Sequence, residues 1–315
     1  MAKTETILET RLILKRAREI IRDLPESTAY YPPAYFAYLD EKDKEAVQWL
    51  EKYAGGSDPT DRTEPFSADE LYWEIVLPFT GSSREFWCAL AESIVKLWSD
   101  SPAALTLAGY VKQDENKPED AFAYYERALR ADKDYWLAAW GLGEVNLIQK
   151  NWQAALQYYE KSLASETART IPQISFDSAL CAGKLDDHIT EEKHYRACLE
   201  LDPDYRGARN NLGWALYKQH RFAEALAVFD ECIARKVDGA YPRRNRARAL
   251  ARLGRLSEAI DAWKQTGHGG RLSKHAQEQI AKLKARINSG EVVQDDEDDG
   301  DDGIAEGERG KARGN

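Results

Sequence analysis

Apolar residues in the stretch 206–239 recur at the spacing of two short helices that a polar break separates. Leu212 and Leu216 mark the first helix, and Phe222 and Phe229 mark the second. The stretch therefore predicts a helix, a turn and a second helix. Because neither helix can bury its apolar face alone, this hairpin needs neighbours to stack against.

The neighbours are visible as three series of residues that share one period. Small residues recur at intervals of 34, 36, 34 and 34, at Gly109, Gly143, Ala179, Gly213 and Ala247. Aromatic residues recur at the same intervals, at Tyr125, Tyr159, Tyr195, Phe229 and Trp263. A second series of small residues keeps the period, at Ala128, Ser162, Cys198, Cys232 and Thr266. Three registers with one shared two-residue slip are typical of stacked repeats.

Local motifs accompany the period. A Leu-Gly pair occurs at 142–143 and 212–213, and Pro203 follows one second helix. A small residue lies twelve positions after the small residue of the first helix, at Ala121, Ala155, Ala225 and Ala259, and an aromatic residue follows four positions later. With these motifs the chain resembles the tetratricopeptide repeat (TPR) family over residues 102–273, although Glu191 replaces one small residue and Lys133 and Val237 replace prolines. The resemblance implies an all-α fold, a right-handed α-solenoid of helix-turn-helix repeats.

The patterns divide the chain into four segments. Residues 1–66 are expected to form an N-terminal helical segment with an aromatic loop, and 67–101 a degenerate repeat or cap. Residues 102–288 are expected to hold five repeats and a C-terminal capping helix, and 289–315 an acidic tail with too little apolar content to fold. The five hairpins are predicted at 102–135, 136–169, 172–205, 206–239 and 240–270. The capping helix, 271–288, has one apolar stripe, made of Leu272, Ala276, Ile280, Leu283 and Ile287.

Charge is distributed unevenly along the chain, whose net charge is −10. Residues 240–286 hold twelve basic and three acidic residues, whereas 291–315 hold ten acidic and three basic residues. A basic last repeat is thus followed directly by an acidic tail.

Sequence motifs of catalysis are missing. The chain has no phosphate-binding loop, no HExxH and no GxSxG, and its five histidines are scattered at 188, 194, 220, 268 and 275. We therefore predict a non-enzymatic protein without catalytic residues, cofactors or a metal site. The cysteines Cys88, Cys181, Cys198 and Cys232 form no CxxC pair and are expected to be buried thiols. Without a secretion signal or an apolar run of about 20 residues, the chain is expected to be cytoplasmic and to avoid membranes.

The resemblance further implies that the first helix of each hairpin lines a concave, peptide-binding groove. Helical spacing then selects thirteen residues for this groove: Tyr110, Trp140, Phe176, Asn210, Asn211, Trp214, Tyr217, Lys218, Tyr241, Arg244, Asn245, Arg248 and Arg252. Some relatives bind the acidic C-termini of chaperones through a carboxylate clamp. Asn211 and Asn245 match its asparagine position, but Asn210 and Phe176 stand where its leading lysine would be.

We expect an adaptor, scaffold or chaperone-like protein that binds an extended acidic peptide of another protein. Amides suit peptide backbones, aromatic rings supply contact area, and Arg244, Arg248 and Arg252 suit carboxylates. Folding back of the acidic tail onto the basic last repeat would modulate such binding. The alternative is a protein that binds nucleic acid through 240–286 or a basic client through its tail. Self-association through terminal repeats also stays open.

Overall fold

The computed structural model describes residues 100–236, 241–267 and 271–289, and the regular secondary structure of these ranges is helical. Their eleven α-helices are α1 (Pro102–Asp114), α2 (Pro118–Ala131), α3 (Trp136–Ile148), α4 (Trp152–Ser162), α5 (Pro172–Lys184), α6 (His188–Leu201), α7 (Ala208–Lys218), α8 (Phe222–Arg235), α9 (Tyr241–Arg252), α10 (Leu256–Lys264) and α11 (Lys274–Ser289). A 3-10 helix (Ala168–Thr170) stands between α4 and α5. The predicted N-terminal segment, nearly all of the predicted cap at 67–101 and the tail beyond Ser289 lie outside the described residues.

The helices belong to two compact units that divide between Ala168 and Arg169. In the first unit, α1 packs against α2, α2 against α3 and α3 against α4. In the second, each helix from α5 to α10 packs against the next along the chain, and α11 packs against α10. The first helices of two neighbouring hairpins, α7 and α9, also contact each other directly. The predicted all-α repeat of helical hairpins is thus confirmed within each unit.

Each hairpin turns through one residue with a left-handed backbone. These residues are Asn116, Lys150, Asp186, His220 and Gly254, with φ values of 59°, 62°, 58°, 59° and 75°. They keep the repeat intervals of 34, 36, 34 and 34. The next amide donates to a carbonyl five residues earlier, as from Asn151 to Asn146 (2.8 Å) and from Arg255 to Leu250 (2.9 Å). This bond and the left-handed residue form a Schellman motif, which ends the first helix of every pair.

In three hairpins, an aromatic ring of the second helix packs directly against a glycine of the first helix. A Cβ atom added to Gly109 would lie 2.4 Å from Tyr125, one on Gly143 would lie 2.6 Å from Tyr159, and one on Gly213 would lie 2.5 Å from Phe229. All three rings are fully buried. The small and aromatic series therefore recur together because each ring needs a helix surface without a side chain beneath it.

The departure at Glu191 is accommodated by a polar contact inside the hairpin of α5 and α6. Glu191 is buried against Gly183, where an added Cβ would lie 2.7 Å from the carboxylate. Its Oε2 lies 2.8 Å from Nδ1 of His188. Burial raises the pKa of Glu191, although the hydrogen bond with His188 opposes the shift. A carboxylate replaces the usual small residue here, and the glycine facing it supplies the room.

The thiols of Cys181, Cys198 and Cys232 are buried, as predicted. Burial raises the pKa of Cys198 to about 12, which keeps this thiol protonated. Cys88 lies outside the described residues.

The predicted capping helix exists as α11, but it begins three residues later than expected. Ser273 caps it by accepting a hydrogen bond from the amide of Ala276 (3.1 Å). Ala276, Ile280 and Leu283 are buried as predicted. The expectation for Ile287 was wrong, since this side chain is 45% exposed. The reason is length, because α11 has 16 residues and its neighbour α10 has 9.

Candidate peptide-binding surface

Three arginines of α9 carry the charge of the candidate site. Arg244, Arg248 and Arg252 are spaced by four residues, so they lie in one row along the helix at intervals of about 6 Å. All three are half-buried, between the fully buried residues of α9 and its exposed ones. The row therefore runs along the border between the core of the second unit and its surface.

Each guanidinium of the row lies over an aromatic ring. Cζ of Arg248 is 5.3 Å from the ring centre of Trp214 on α7, and Cζ of Arg244 is 5.3 Å from that of Tyr241. Cζ of Arg252 is 4.5 Å from the ring centre of Phe222 and 5.9 Å from that of Tyr217. We call these three arginines and four rings the arginine–aromatic surface.

Three of the four rings, Trp214, Tyr217 and Phe222, contact one another in sequence. Trp214 and Tyr217 stack with centres 5.1 Å apart and planes at 7°, and Tyr217 meets Phe222 edge-on at 5.2 Å. Lys218 approaches the same indole, with Nζ 5.5 Å from its ring centre. Cation–π contacts of this kind contribute about 0.5–2 kcal/mol each, depending on how well they are desolvated. A guanidinium lying on a ring still offers N–H groups along its edge, and this edge suits a carboxylate.

The predicted asparagines lie behind this surface, fully buried. Asn211 Nδ2 donates to Oη of Tyr195 (3.1 Å), and Asn210 Nδ2 donates to Oδ1 of Asn211 (3.2 Å). Asn245 Nδ2 donates to Oδ1 of Asn210 (3.1 Å), and its own Oδ1 accepts from Nη1 of Arg248 (3.2 Å). We call this chain of hydrogen bonds the amide chain. It connects α6, α7 and α9.

The other predicted groove residues lie in several places. Tyr110 and Trp140 belong to the first unit, where Tyr110 meets Tyr125 edge-on at 5.7 Å and Trp140 stacks on Trp136 at 6.3 Å. Phe176, in the second unit, is fully buried and packs against Tyr195 and Tyr205. The structure therefore brings together Trp214, Tyr217, Lys218, Tyr241, Arg244, Arg248 and Arg252, with Asn210, Asn211 and Asn245 beneath them.

Two residues of this arrangement were absent from the predicted groove. Phe222 is the first residue of α8, and the sequence pattern placed it only on the apolar face of a second helix. Tyr195 belongs to the aromatic series of the second helices, and its hydroxyl also ends the amide chain. The signal that could have found Phe222 is the bulky aromatic residue at the same place in an earlier second helix, Trp152, which starts α4.

Other kinds of site find little support in the described residues. They contain no group of three or more histidine, cysteine, aspartate or glutamate residues that could hold a metal ion. The most perturbed histidine, His194, is buried, and burial lowers its pKa to about 4. No helix in the described ranges combines the length and the apolar character needed to cross a membrane.

Comparisons with known proteins agree with this architecture. The family described as "Tetratricopeptide repeat" matches residues 106–168, 192–242 and 211–265. No curated protein matches the chain. Among solved structures, the fold is similar to that of YrrB, described as a TPR protein with an unusual peptide-binding site. The two chains are 19% identical, the TM-score is 0.51, and the alignment covers 62% of this chain and 97% of that chain. It is also similar to that of Pseudomonas aeruginosa pilF, with 16% identity, a TM-score of 0.51, and 70% and 97% covered.

At these identities the two structures support the fold, and the family match supplies the name of the repeat. The matched ranges contain Gly109, Gly143 and Gly213 with their aromatic partners, and four of the five left-handed turn residues described above. We conclude that residues 106–168 and 192–265 match the tetratricopeptide repeat family and that the hairpins of this chain are repeats of that kind.

Proposed function

We propose that this protein is a non-catalytic interaction module, an adaptor or scaffold, whose arginine–aromatic surface binds an extended acidic segment of another protein. The observation that carries the proposal is the row of three guanidiniums, each lying over a ring. A row of like charges on one helix is mildly unfavourable by itself. A partner that brings carboxylates would remove this cost and gain charge-assisted hydrogen bonds.

The spacing of the row suggests which acidic segments fit best. Residues four apart on a helix are separated by about 6 Å along its axis. Alternate residues of an extended peptide are separated by about 6.6 Å and point to the same side. Acidic residues at every second position would therefore meet successive arginines. The peptide-binding site named for YrrB supports a peptide as the class of ligand, although the likeness itself concerns only the fold.

The test is a titration of the full chain with a fluorescent peptide that has acids at alternate positions. Changing Arg244, Arg248 and Arg252 to Gln should weaken binding by about 100-fold, or about 2.7 kcal/mol. The matched control changes Arg243, Arg271 and Lys274 to Gln, which removes the same charge from exposed positions outside the row. An equal loss of peptide affinity in both triple variants would show that only net charge matters, and this would contradict the proposal.

The acidic tail is a candidate competitor for the same surface. Asp295, Glu297, Asp299 and Asp301 are acids at alternate positions, which is the register proposed for the ligand. Truncation after Ser289 should raise peptide affinity, most strongly at low salt, because screening weakens the competition. The control is a full-length chain with the tail acids changed to Asn and Gln, which should behave like the truncated one. Unchanged affinity in both would mean that the tail does not modulate the surface.

Nucleic acid is a weaker alternative because part of the basic charge is already neutralised. Arg246 pairs with Asp230 (2.5 Å), Arg255 with Glu258 (2.6 Å) and Lys264 with Asp261 (2.7 Å). Glu258 and Asp261 belong to the three acidic residues counted in 240–286, and Asp230, from outside this range, neutralises one further positive charge that phosphates would need. A gel shift at physiological salt with the wild-type chain would reveal nucleic-acid binding if it occurs.

A further inference from the structure

We propose that Asn245 is a positioning residue, which holds the guanidinium of Arg248 on Trp214 through the buried amide chain. The inference rests on the proposed function, because it concerns how the arginine–aromatic surface is prepared for an acidic ligand. It assigns the asparagines a different role from the peptide-holding one that their place in the sequence suggested.

Burial is the first argument. Asn210, Asn211 and Asn245 each have 0% exposure, so their amides face other parts of the protein. A buried amide is retained only if hydrogen bonds replace those it made with water. Here the replacement bonds are made between asparagines of α7 and α9 and continue to Tyr195 of α6. The chain therefore ties three helices of the second unit together at the back of the arginine–aromatic surface.

The direction of the chain is the second argument. A guanidinium has N–H donors and no acceptor, so Asn245 must offer its Oδ1 to Arg248. Its Nδ2 is then directed to Oδ1 of Asn210, whose Nδ2 is directed in turn to Asn211. The orientation of all three amides thus follows from the contact with one arginine. Such a polarised chain holds a side chain more firmly than isolated bonds would.

The position of Arg248 is the third argument. It is the central arginine of the row, and its guanidinium rests on Trp214 while Nη1 donates to Asn245. One contact orients the face of the guanidinium and the other orients an edge. Ordering the side chain in advance lowers the entropy that binding must remove, so affinity for a carboxylate increases without any new ligand contact. Arg252 rests on Phe222 and Tyr217 and provides a comparison within the same row.

A double-mutant cycle tests the inference on the full chain, with the alternating acidic peptide as the probe. Asn245→Leu should weaken binding by about tenfold in the wild type and by less than about twofold in an Arg248→Gln background, because the residue acts through Arg248. In an Arg252→Gln background the loss should again be about tenfold. An equal loss in all three backgrounds, or no loss in the wild type, would overturn the proposal.

Two further variants separate positioning from folding. Asn146→Leu in the first unit removes another buried amide, one whose Nδ2 donates to the carbonyl of Leu142 (2.8 Å), and should reduce stability without changing affinity. If Asn245→Leu does not fold, Tyr195→Phe keeps the ring and removes only the hydroxyl that Asn211 contacts. It should weaken binding by about twofold to threefold, and only when Arg248 is present.

A readout without a ligand separates this inference from the proposed function. Side-chain ¹⁵N relaxation should show the Nε–H of Arg248 becoming more mobile in Asn245→Leu, while that of Arg252 stays unchanged. If the wild type binds no acidic peptide but Arg248 loosens selectively, the positioning holds and the proposed function fails. If Arg248 keeps its order in the variant, the positioning is refuted whether or not the peptide binds.

Discussion

Individual glycines set the distance between the two helices of a hairpin. Gly213 allows Phe229 to lie where a Cβ atom would be only 2.5 Å from the ring, and Gly109 and Gly143 do the same for their tyrosines. Contacts this short cannot be relieved by rotating a flexible side chain, because the rings are themselves fully buried. A single methyl group at these positions therefore moves a helix.

The substitution Gly213→Ala should reduce the free energy of unfolding by about 1–3 kcal/mol, because overpacking exceeds the gain in helix propensity. Urea denaturation of the two chains measures the change. In a Phe229→Leu background the smaller side chain leaves room for the methyl group, and Gly213→Ala should then be neutral or stabilising. A loss of the same size in both backgrounds would show that the clash with the ring is not the cause.

Lys150 has a left-handed backbone, with φ of 62°, that glycine adopts without a steric penalty. Its side chain is exposed, so its replacement removes little packing. Lys150→Gly should therefore stabilise the protein by about 0.5–1 kcal/mol, measured by denaturation. The control, Glu160→Gly at an exposed position inside α4, should destabilise it by about 1 kcal/mol. Destabilisation by both changes would contradict the assignment of strain to Lys150.

The helical hairpins pack in the same way, and the hairpin of α5 and α6 shows how this packing accommodates an ionisable side chain. Glu191 occupies the place of a small residue and lies against Gly183, with His188 one turn away on α6. Lys184 and Lys218 also favour its ionised form, but burial has the larger effect, and the pKa is raised. The hairpin keeps its geometry, and the carboxyl group of Glu191 is protonated more easily in the folded state than in the unfolded state.

This shift predicts a pH dependence with a defined sign. The folded state binds the proton of Glu191 more tightly than the unfolded state, whose pKa is near 4.5. The free energy of unfolding of the wild type, relative to that of Glu191→Gln, should be constant below about pH 4.5. It should decrease as the pH rises from there to the raised pKa of Glu191, and then level off. Denaturation of both chains across this range measures the difference. In a His188→Ala background the decrease should extend to higher pH, since the hydrogen bond to His188 opposes the rise in the pKa of Glu191. If the wild type instead became more stable relative to Glu191→Gln as the pH rises, the raised pKa of Glu191 would be contradicted.

Across the described molecule, contacts are mainly between neighbours in the chain. In the second unit each helix from α6 to α10 packs against the preceding and following ones, whereas α11 packs against α10 at one end. Stability in such arrays is approximately a sum of repeat and nearest-neighbour terms, so elements with fewer neighbours open more readily. The arginine–aromatic surface lies on α7, on α9 and on the first residue of α8. Since α7 also contacts α9, the surface is supported on several sides.

Hydrogen exchange should reflect this arrangement. Amides of α11 should exchange faster than those of α7 and α8, because α7 and α8 have packed neighbours on both sides. Exchange measured by mass spectrometry on the full chain gives the comparison segment by segment. Uniform protection from α7 to α11 would mean that the second unit opens only as a whole.

The period was sufficient to predict the helices, their pairing and the core. Gly109, Gly143 and Gly213 with their ring partners followed directly from three coincident series, because a recurring contact requires recurring residue sizes. The site was predicted less completely. Helical spacing grouped Arg244, Arg248 and Arg252 on one face, but it could not show that Arg248 and Arg252 lie over rings of other helices.

Local chemistry thus determined the hairpins, since apolar spacing, small residues and turn signals act between residues close in sequence. Packing between hairpins decided the rest. Whether Asn210 and Asn245 face a ligand or each other depends on how α7 meets α9, and the two residues are 35 positions apart. The same holds for Phe222 beneath Arg252. Such contacts depend on the distance and rotation between helices. Many side-chain volumes together set this geometry, so no single motif in the sequence predicts it.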